Sequence, residues 1–498
     1  MGFSTIDYAV LLLYLVGITI FGTLFRRSHK TVKDYFVGAK NTHWLIISLS
    51  IVATETSTLT LIGVPALAYT PHGIAEQGAA FTYLQVVFGY IIARVVISFL
   101  LIPSYFEGEL LTAYELLARR FGASTKHFAA SLVLVMRALA EGVRVFAASL
   151  VLATVIGASL PSLPHLGLIS IVLVGLLTLI YTFEGGIAAV IWTDLIQLVI
   201  YIGGSLLAAW TLLNMVPGGW TAIQTEAADK FQLFSFSWDL TLPFTFWAGL
   251  IGGTFLTMAS HGTDQLLVQR LLTCRNLRDG QKALIASGFI VLFQFALFLL
   301  IGVMLYVFYQ HAPLPVLESN DQIFPKFVVD NLPHGVSGLV IAAIFAAAMS
   351  NLSGSLNSLA STTIIDFYRP LLGRHRSDAE LLKLSRWATA AWGVVLIGIA
   401  VVAAGWGSVF TTGLTIASLV YGPMLGAFLL GVLTRRANQP GVIAGIAVSL
   451  ACMVAVKQYS HLAWTWYVLV GTMICMGVGY AVSLTTASRA ANTGAPTA

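Results

Sequence analysis

Apolar residues recur in runs of about twenty, the length an α-helix needs to cross a hydrocarbon layer of roughly 30 Å. Thirteen such runs separate cleanly, at 6–25, 44–70, 76–102, 128–157, 164–182, 187–212, 242–268, 283–309, 335–362, 387–406, 408–433, 440–457 and 463–484. The pattern predicts an all-α polytopic membrane protein with 13 transmembrane helices. Residues 1–487 are expected to form a single transmembrane domain, and the small, polar stretch 488–498 a disordered cytoplasmic tail. The first run does not read as a cleaved leader. Asp7 stands where a basic segment would precede one, and a basic loop follows in place of a small-residue cleavage site.

Composition agrees with the pattern. Hydrophobic residues make up 58% of the chain and charged ones 9%, against about 25% charged in soluble domains. That excludes secreted scaffolds, nucleic-acid readers and disordered hubs. Cys274, Cys452 and Cys475 are scattered, without metal-site spacing. The Lys and Arg residues are distributed very unevenly. Twenty fall in alternate loops on one side, while Lys230, Lys326 and Lys457 lie on the other and Arg94, Arg137 and Arg144 lie within runs. This asymmetry predicts an N-terminus outside and a C-terminus in the cytoplasm, in a plasma (inner) membrane. Segments 213–241 and 310–334, the long outside connections, are expected to fold as short caps over the external mouth.

Polar residues inside apolar runs are costly, about 2.5–3.5 kcal/mol for a charge at mid-membrane on insertion scales, and so mark candidate chemistry. The densest interruption is Ala53-Thr54-Glu55-Thr56-Ser57-Thr58-Leu59-Thr60, just before Gly63 and Pro65. β-Branched and hydroxyl residues disfavour helix interiors and proline removes a donor. The stretch is predicted to be an unwound break with free carbonyls, although hydroxyls also serve plain helix packing. A second weak point holds Gly252-Gly253-Thr254, Thr257, Ser260, His261, Gly262, Thr263, Asp264 and Gln265. Two interrupted runs five helices apart suit an inverted repeat of about 44–212 and 242–433, with 6–25, 440–457 and 463–484 peripheral. In the ninth run Ser350, Ser353 and Asn357 share a face, with Ala347 one turn before Ser350. Hydroxyls with bare carbonyls form the neutral-oxygen set that a hard alkali cation takes. Asp194 supplies one negative charge, or merely caps a helix or pairs with an arginine. Arg137, Glu141 and Arg144, spaced by four and three, are expected on one face as a charge network. An arginine left free there suits a carboxylate.

Several stretches, in order, carry a resemblance: Asp34-Tyr35-Phe36-Val37-Gly38, Gly63-Val64-Pro65, Ala113-Tyr114-Glu115 with Arg120-Phe121-Gly122, Tyr181-Thr182-Phe183-Glu184-Gly185-Gly186 leading to Trp192-Thr193-Asp194, Asp264-Gln265 with Gln269-Arg270, Met349-Ser350 through Asp366-Phe367-Tyr368, and Gly422-Pro423. Over residues 5–485 the chain resembles the sodium:solute symporter family, which includes sodium-coupled sugar, proline, iodide, vitamin and sialic acid carriers. The resemblance implies a LeuT-type 5+5 inverted-repeat core with one extra N-terminal helix, and Na⁺ and solute sites at mid-membrane. It places one sodium on the carbonyls of Ala53, Thr56 and Ala347 with the side chains of Ser350 and Asn351. Asn351 replaces the family's usual Ser or Thr. A possible second sodium falls on Asp194, Ser350 and Ser353, where Gly354 replaces an adjoining serine.

For the solute the resemblance points to Ser57, Thr60, Phe81, Gln85 and Gln294, with Arg137 and Arg144 one turn either side of the position expected for an anchoring arginine. Glu55, Thr257, Ser260 and Thr415 complete the candidate set; Thr415 and Val291 stand where sugar carriers have other residues. Together these imply a Na⁺-coupled symporter, not an enzyme, importing a small organic solute by alternating access. A carboxylate-bearing solute (a sialic acid, monocarboxylate, vitamin or amino acid) is favoured over a neutral sugar. The lipid bilayer is the only other partner expected, and the chain is expected to work as a monomer. Proton coupling through Glu55 or Asp194, a sodium-coupled sugar carrier, and a membrane sensor on the same fold are the rival readings.

Overall fold

The computed structural model describes residues 3–24, 31–38, 40–70, 80–108, 110–159, 165–315, 317, 320–373, 375–403 and 409–493; the side chains at 154, 158–159, 409–415 and 487–493 are outside that description. The regular structure among them is helical, apart from an isolated bridge between Thr42 and Cys274. In chain order the principal helices are α1 (Thr5–Thr23), α2 (Trp44–Glu55), α3 (Thr58–Tyr69), α4 (Leu84–Leu100), α5 (Ala123–Ser159), α6 (Leu166–Met215) and α7 (Gly253–Gly262). There follow α8 (Gln265–Leu272), α9 (Leu277–His311), α10 (Val336–Ser361), α11 (Asp378–Ala403), α12 (Val409–Leu433), α13 (Gln439–Tyr459) and α14 (Tyr467–Thr493).

Ten helices among the described residues are long and apolar enough to cross a membrane, eleven if α2 and α3, bent by 63°, form one span. Thirteen apolar runs yield this smaller number for physical reasons. The runs 164–182 and 187–212 join in α6, which kinks at Gly186 (φ 54°, ψ −159°) without a loop. A Cβ there would meet the Tyr35 carbonyl at 2.7 Å, so glycine serves both the left-handed φ and the close approach. The run 242–268 breaks into a π-turn, α7 and α8, each too short to span alone. Helix α14 continues to Thr493, so the stretch expected to lose order after 487 begins as helix. Its Thr-Thr-Ala-Ser-Arg-Ala-Ala sequence contains enough good helix formers to extend the last turns.

Helix α10 is the most buried of the apolar spans, lying against α6, α5, α1 and α11. Asp7 fixes its outer end. One carboxylate oxygen accepts from Gly335 N (2.7 Å), Gly338 N (2.9 Å) and Ser337 Oγ (2.6 Å), while the other accepts from Ser4 N at 2.8 Å. One side chain thus caps α1 and neutralises the positive end of α10. The outer faces are apolar, with Leu13, Phe293 and Val394 exposed by 76%, 75% and 68%. Segments 213–241 and 310–334 contain the short helices Gly219–Glu226 and Ile323–Asn331. Lys230 Nζ reaches the carbonyls of Ala68 (3.0 Å) and Thr70 (2.8 Å), closing the end of α3.

Candidate cation and solute site

Helix α2 ends where the polar run begins to compete for its own backbone. Thr56 N and Thr56 Oγ1 both donate to the Val52 carbonyl, at 3.0 and 2.8 Å, and Thr56 then turns to ψ 105°. Ser57 is extended (φ −101°, ψ 171°), and Thr60 Oγ1 accepts from its N–H at 3.4 Å to start α3. The carbonyls of Ala53 and Thr56 receive no backbone N–H among the described residues. Pro65 is buried inside α3, where its carbonyl abuts Gly302 of α9. The break predicted from sequence is present.

Helix α10 meets the break through Asn351, whose Nδ2 donates to the Thr54 carbonyl at 2.5 Å and whose Oδ1 accepts from Arg144 Nη1 at 3.3 Å. Ser350 Oγ donates to Asp194 Oδ1 at 2.5 Å, which leaves the hydroxyl's lone pairs available. Ser353 Oγ donates to the Ser350 carbonyl at 3.0 Å. Asp194 Oδ2 accepts from Ser50 Oγ (2.6 Å), Thr54 Oγ1 (3.2 Å) and Arg270 Nη2 (2.9 Å).

A cavity of about 150 Å³ opens beside the break. Of the residues singled out from the sequence for solute, Glu55, Ser57, Thr60, Thr257, Ser260, Arg137 and Arg144 line it. Glu55 is ion-paired to Arg94, and His261 Nε2 lies 3.4 Å from its carboxylate. Arg137 is ion-paired to Asp264, with Tyr421 OH 2.9 Å from the guanidinium. The expected one-face network on α5 is therefore only half formed. Glu141 pairs with Arg144 at 3.1 Å and accepts from Ser355 Oγ at 2.9 Å, whereas Arg137 turns to Asp264 at the start of α8. Arg144 Nη2 donates to no described residue.

Other candidates lie elsewhere. Gln85 donates to the Thr82 and Phe244 carbonyls and accepts from Ser235 N, so its amide braces an outer segment and is not part of the cavity wall. Phe81 packs on Phe231, ring centres 5.2 Å apart. Gln294 Nε2 donates to Thr56 Oγ1 at 2.5 Å and its Oε1 accepts from Tyr201 OH at 3.2 Å, bracing the break from behind. The Thr415 side chain lies outside the described residues. Sequence reasoning missed Tyr83, Tyr90, Phe295 and Tyr421 on the cavity wall. Such aromatics in apolar runs carry no local signal of exposure to a cavity. Arg94 did carry one, as a charge inside a run beside another containing Glu55.

The sodium:solute symporter family matches residues 35–449. The chain belongs to the sodium:solute symporter family. As a member it is a sodium-coupled solute symporter. The sodium/sialic acid symporter SiaT of Proteus mirabilis is 32% identical over 483 residues, covering 95% of this chain and 93% of that protein. The human sodium/iodide cotransporter is 29% identical over 462 residues, covering 89% and 68%. A solved structure of a Na⁺-coupled sialic acid symporter in a substrate-bound outward-open state superposes with a TM-score of 0.87 at 30% identity, over 97% of this chain and 98% of that one. The nucleobase-cation-symport-1 transporter MHP1 shares the fold alone, with a TM-score of 0.60 at 13% identity over 91% and 94%.

Proposed function

We propose that the protein imports a carboxylate-bearing solute together with sodium, and that the junction of the α2–α3 break with α10 couples the two. Carbonyls of Ala53, Thr56 and Ala347 with Ser350 Oγ form the sodium ligand set. Asn351 is left out of it because its Oδ1 accepts from the Arg144 guanidinium, whose positive charge repels a cation there. The observation that carries the solute reading is the charge pairing of the cavity wall. Glu55 and Asp264 are answered by Arg94 and Arg137, and of the two guanidiniums that line the cavity Arg144 is the more exposed, 23% against 5% for Arg137, with its Nη2 unused. Glu55 therefore does not repel an acid as a lone carboxylate would, and the sialic acid symporters among the relatives support that solute class.

Sodium entering from outside holds the break against α10, and with it Ser57 and Arg144 at the solute. Loss of that ion when the inner side opens releases both. We read thirteen crossings, counting α6 as two spans and each broken pair as one, in a 5+5 repeat. The N-terminus is outside, the C-terminus in the cytoplasm, and the chain is a monomer in the inner membrane with its apolar faces toward lipid. Proteoliposomes test the reading. An inward sodium gradient should drive uptake of radiolabelled sialic acid or lactate, and Ser350→Ala should raise the sodium concentration for half-maximal uptake. Uptake that follows a pH gradient at zero sodium would transfer the coupling to a proton.

A further inference from the structure

We propose that each cycle carries one sodium ion with one monoanion and moves no net charge, because Arg270 is a built-in cation occupying the place a second sodium would take. This rests on the carboxylate reading above. Four buried or cavity-lining carboxylates surround the site, and each is paired: Glu55 with Arg94, Glu141 with Arg144, Asp264 with Arg137, and Asp194 with Arg270. His261 Nε2 stands 3.1 Å from Arg94 Nη2. A guanidinium has only donors, so the tautomer that this contact fits is the neutral imidazole with Nε2 bare. The resident charge is zero. A cation added to a neutral, low-dielectric cavity is costly unless an opposite charge accompanies it. One sodium calls for one negative charge, and the cavity has no carboxylate left to supply it.

The Asp194 environment shows why a second ion is not needed. Arg270 is fully buried, and its three nitrogens are all engaged: Nη2 on Asp194, Nε on Ser50 Oγ at 3.0 Å, and Nη1 on the Leu266 carbonyl at 2.8 Å. Gly354 makes the seat. A Cβ there would stand 2.7 Å from Nη2 and 3.3 Å from Nη1, so any side chain would displace the guanidinium. The Asp194–Arg270 pair ties α2, α6, α8 and α10 together with its charge already balanced.

The test uses wild-type protein in proteoliposomes with radiolabelled sialic acid and ²²Na⁺, the membrane potential being clamped by potassium and valinomycin. The expected flux ratio is one sodium per solute, with the same final accumulation at 0 and −100 mV. Two sodium ions per solute, or accumulation rising about 50-fold at −100 mV as one net charge would require, overturns the proposal. A sodium titration of melting temperature in detergent, without solute, should fit one site; two sites overturn it. Arg270→Gln, which bares Asp194, should take up a second sodium and become voltage-sensitive, and a folded variant that stays one-to-one and electroneutral denies Arg270 the role. If that variant does not fold, the wild-type flux and voltage arms decide by themselves. Absence of any sodium-driven carboxylate uptake is a separate result, and it removes the solute reading on which the proposal stands.

Discussion

Replacing Arg144 by glutamine should cost the carrier its preference for acids. The side chain is 23% exposed, toward the cavity. Its Nη1 is committed to Glu141 and Asn351, at 3.1 and 3.3 Å, whereas Nη2 offers two N–H groups to a solute carboxylate. A hydrogen bond involving a charged partner contributes about 1.5–3 kcal/mol. At about 1.4 kcal/mol per factor of ten, losing it raises KM roughly 10- to 150-fold. The substitution also strands Glu141, which is buried, so it is made together with Glu141→Gln to keep the wall neutral. Arg144→Lys keeps the charge without the planar fork and should fall between. Initial uptake rates in proteoliposomes at saturating sodium give KM for a carboxylic acid and for its primary amide. The acid should lose affinity by the stated factor and the amide by little. Equal losses for the two compounds, or an unchanged KM for the acid, would refute the assignment of Arg144 as the carboxylate partner.

Arg137→Met leaves Asp264 buried and unpaired, so it should destabilise the protein by about 3–5 kcal/mol in a thermal melt, and adding Asp264→Leu should recover most of the loss. Gly302→Val places a Cβ 2.2 Å from the Pro65 carbonyl and 2.6 Å from Ala68 Cβ. Overpacking of α9 on α3 should cost about 1–3 kcal/mol, while Gly17→Ala, with nothing within 4 Å, should change the melting temperature little. Burial lowers the Lys230 ammonium to about 8, against about 10.4 in an unfolded chain. Between those values the folded protein binds fewer protons than the unfolded one. Stability should therefore rise with pH from about 8 to 10.5, and Lys230→Met should flatten that slope.

What the sequence disclosed divides by distance along the chain. The spans were readable because twenty apolar residues in a row need no partner to be recognised. The α2–α3 break was readable because Thr56 competes for the Val52 carbonyl four residues away, an interaction written in adjacent letters. The same locality found the Glu141–Arg144 pair, three residues apart, and misplaced Arg137, because helical spacing nominates near neighbours and says nothing of Asp264, 127 positions on. Arg94 with Glu55 and Arg270 with Asp194 are likewise separated by 39 and 76 positions. A buried charge predicts that some partner exists, since leaving it unpaired costs several kcal/mol, but the choice among four carboxylates and four guanidiniums is made by the helix packing. The site's electrostatics are consequently a property of the assembled fold. The family motifs brought Gln85 to the solute, whereas the folded chain spends its amide on the Phe244 and Thr82 carbonyls. Motif transfer locates a position on a helix, and the hydrogen-bonding demands of the surrounding backbone decide where that side chain's polar atoms go.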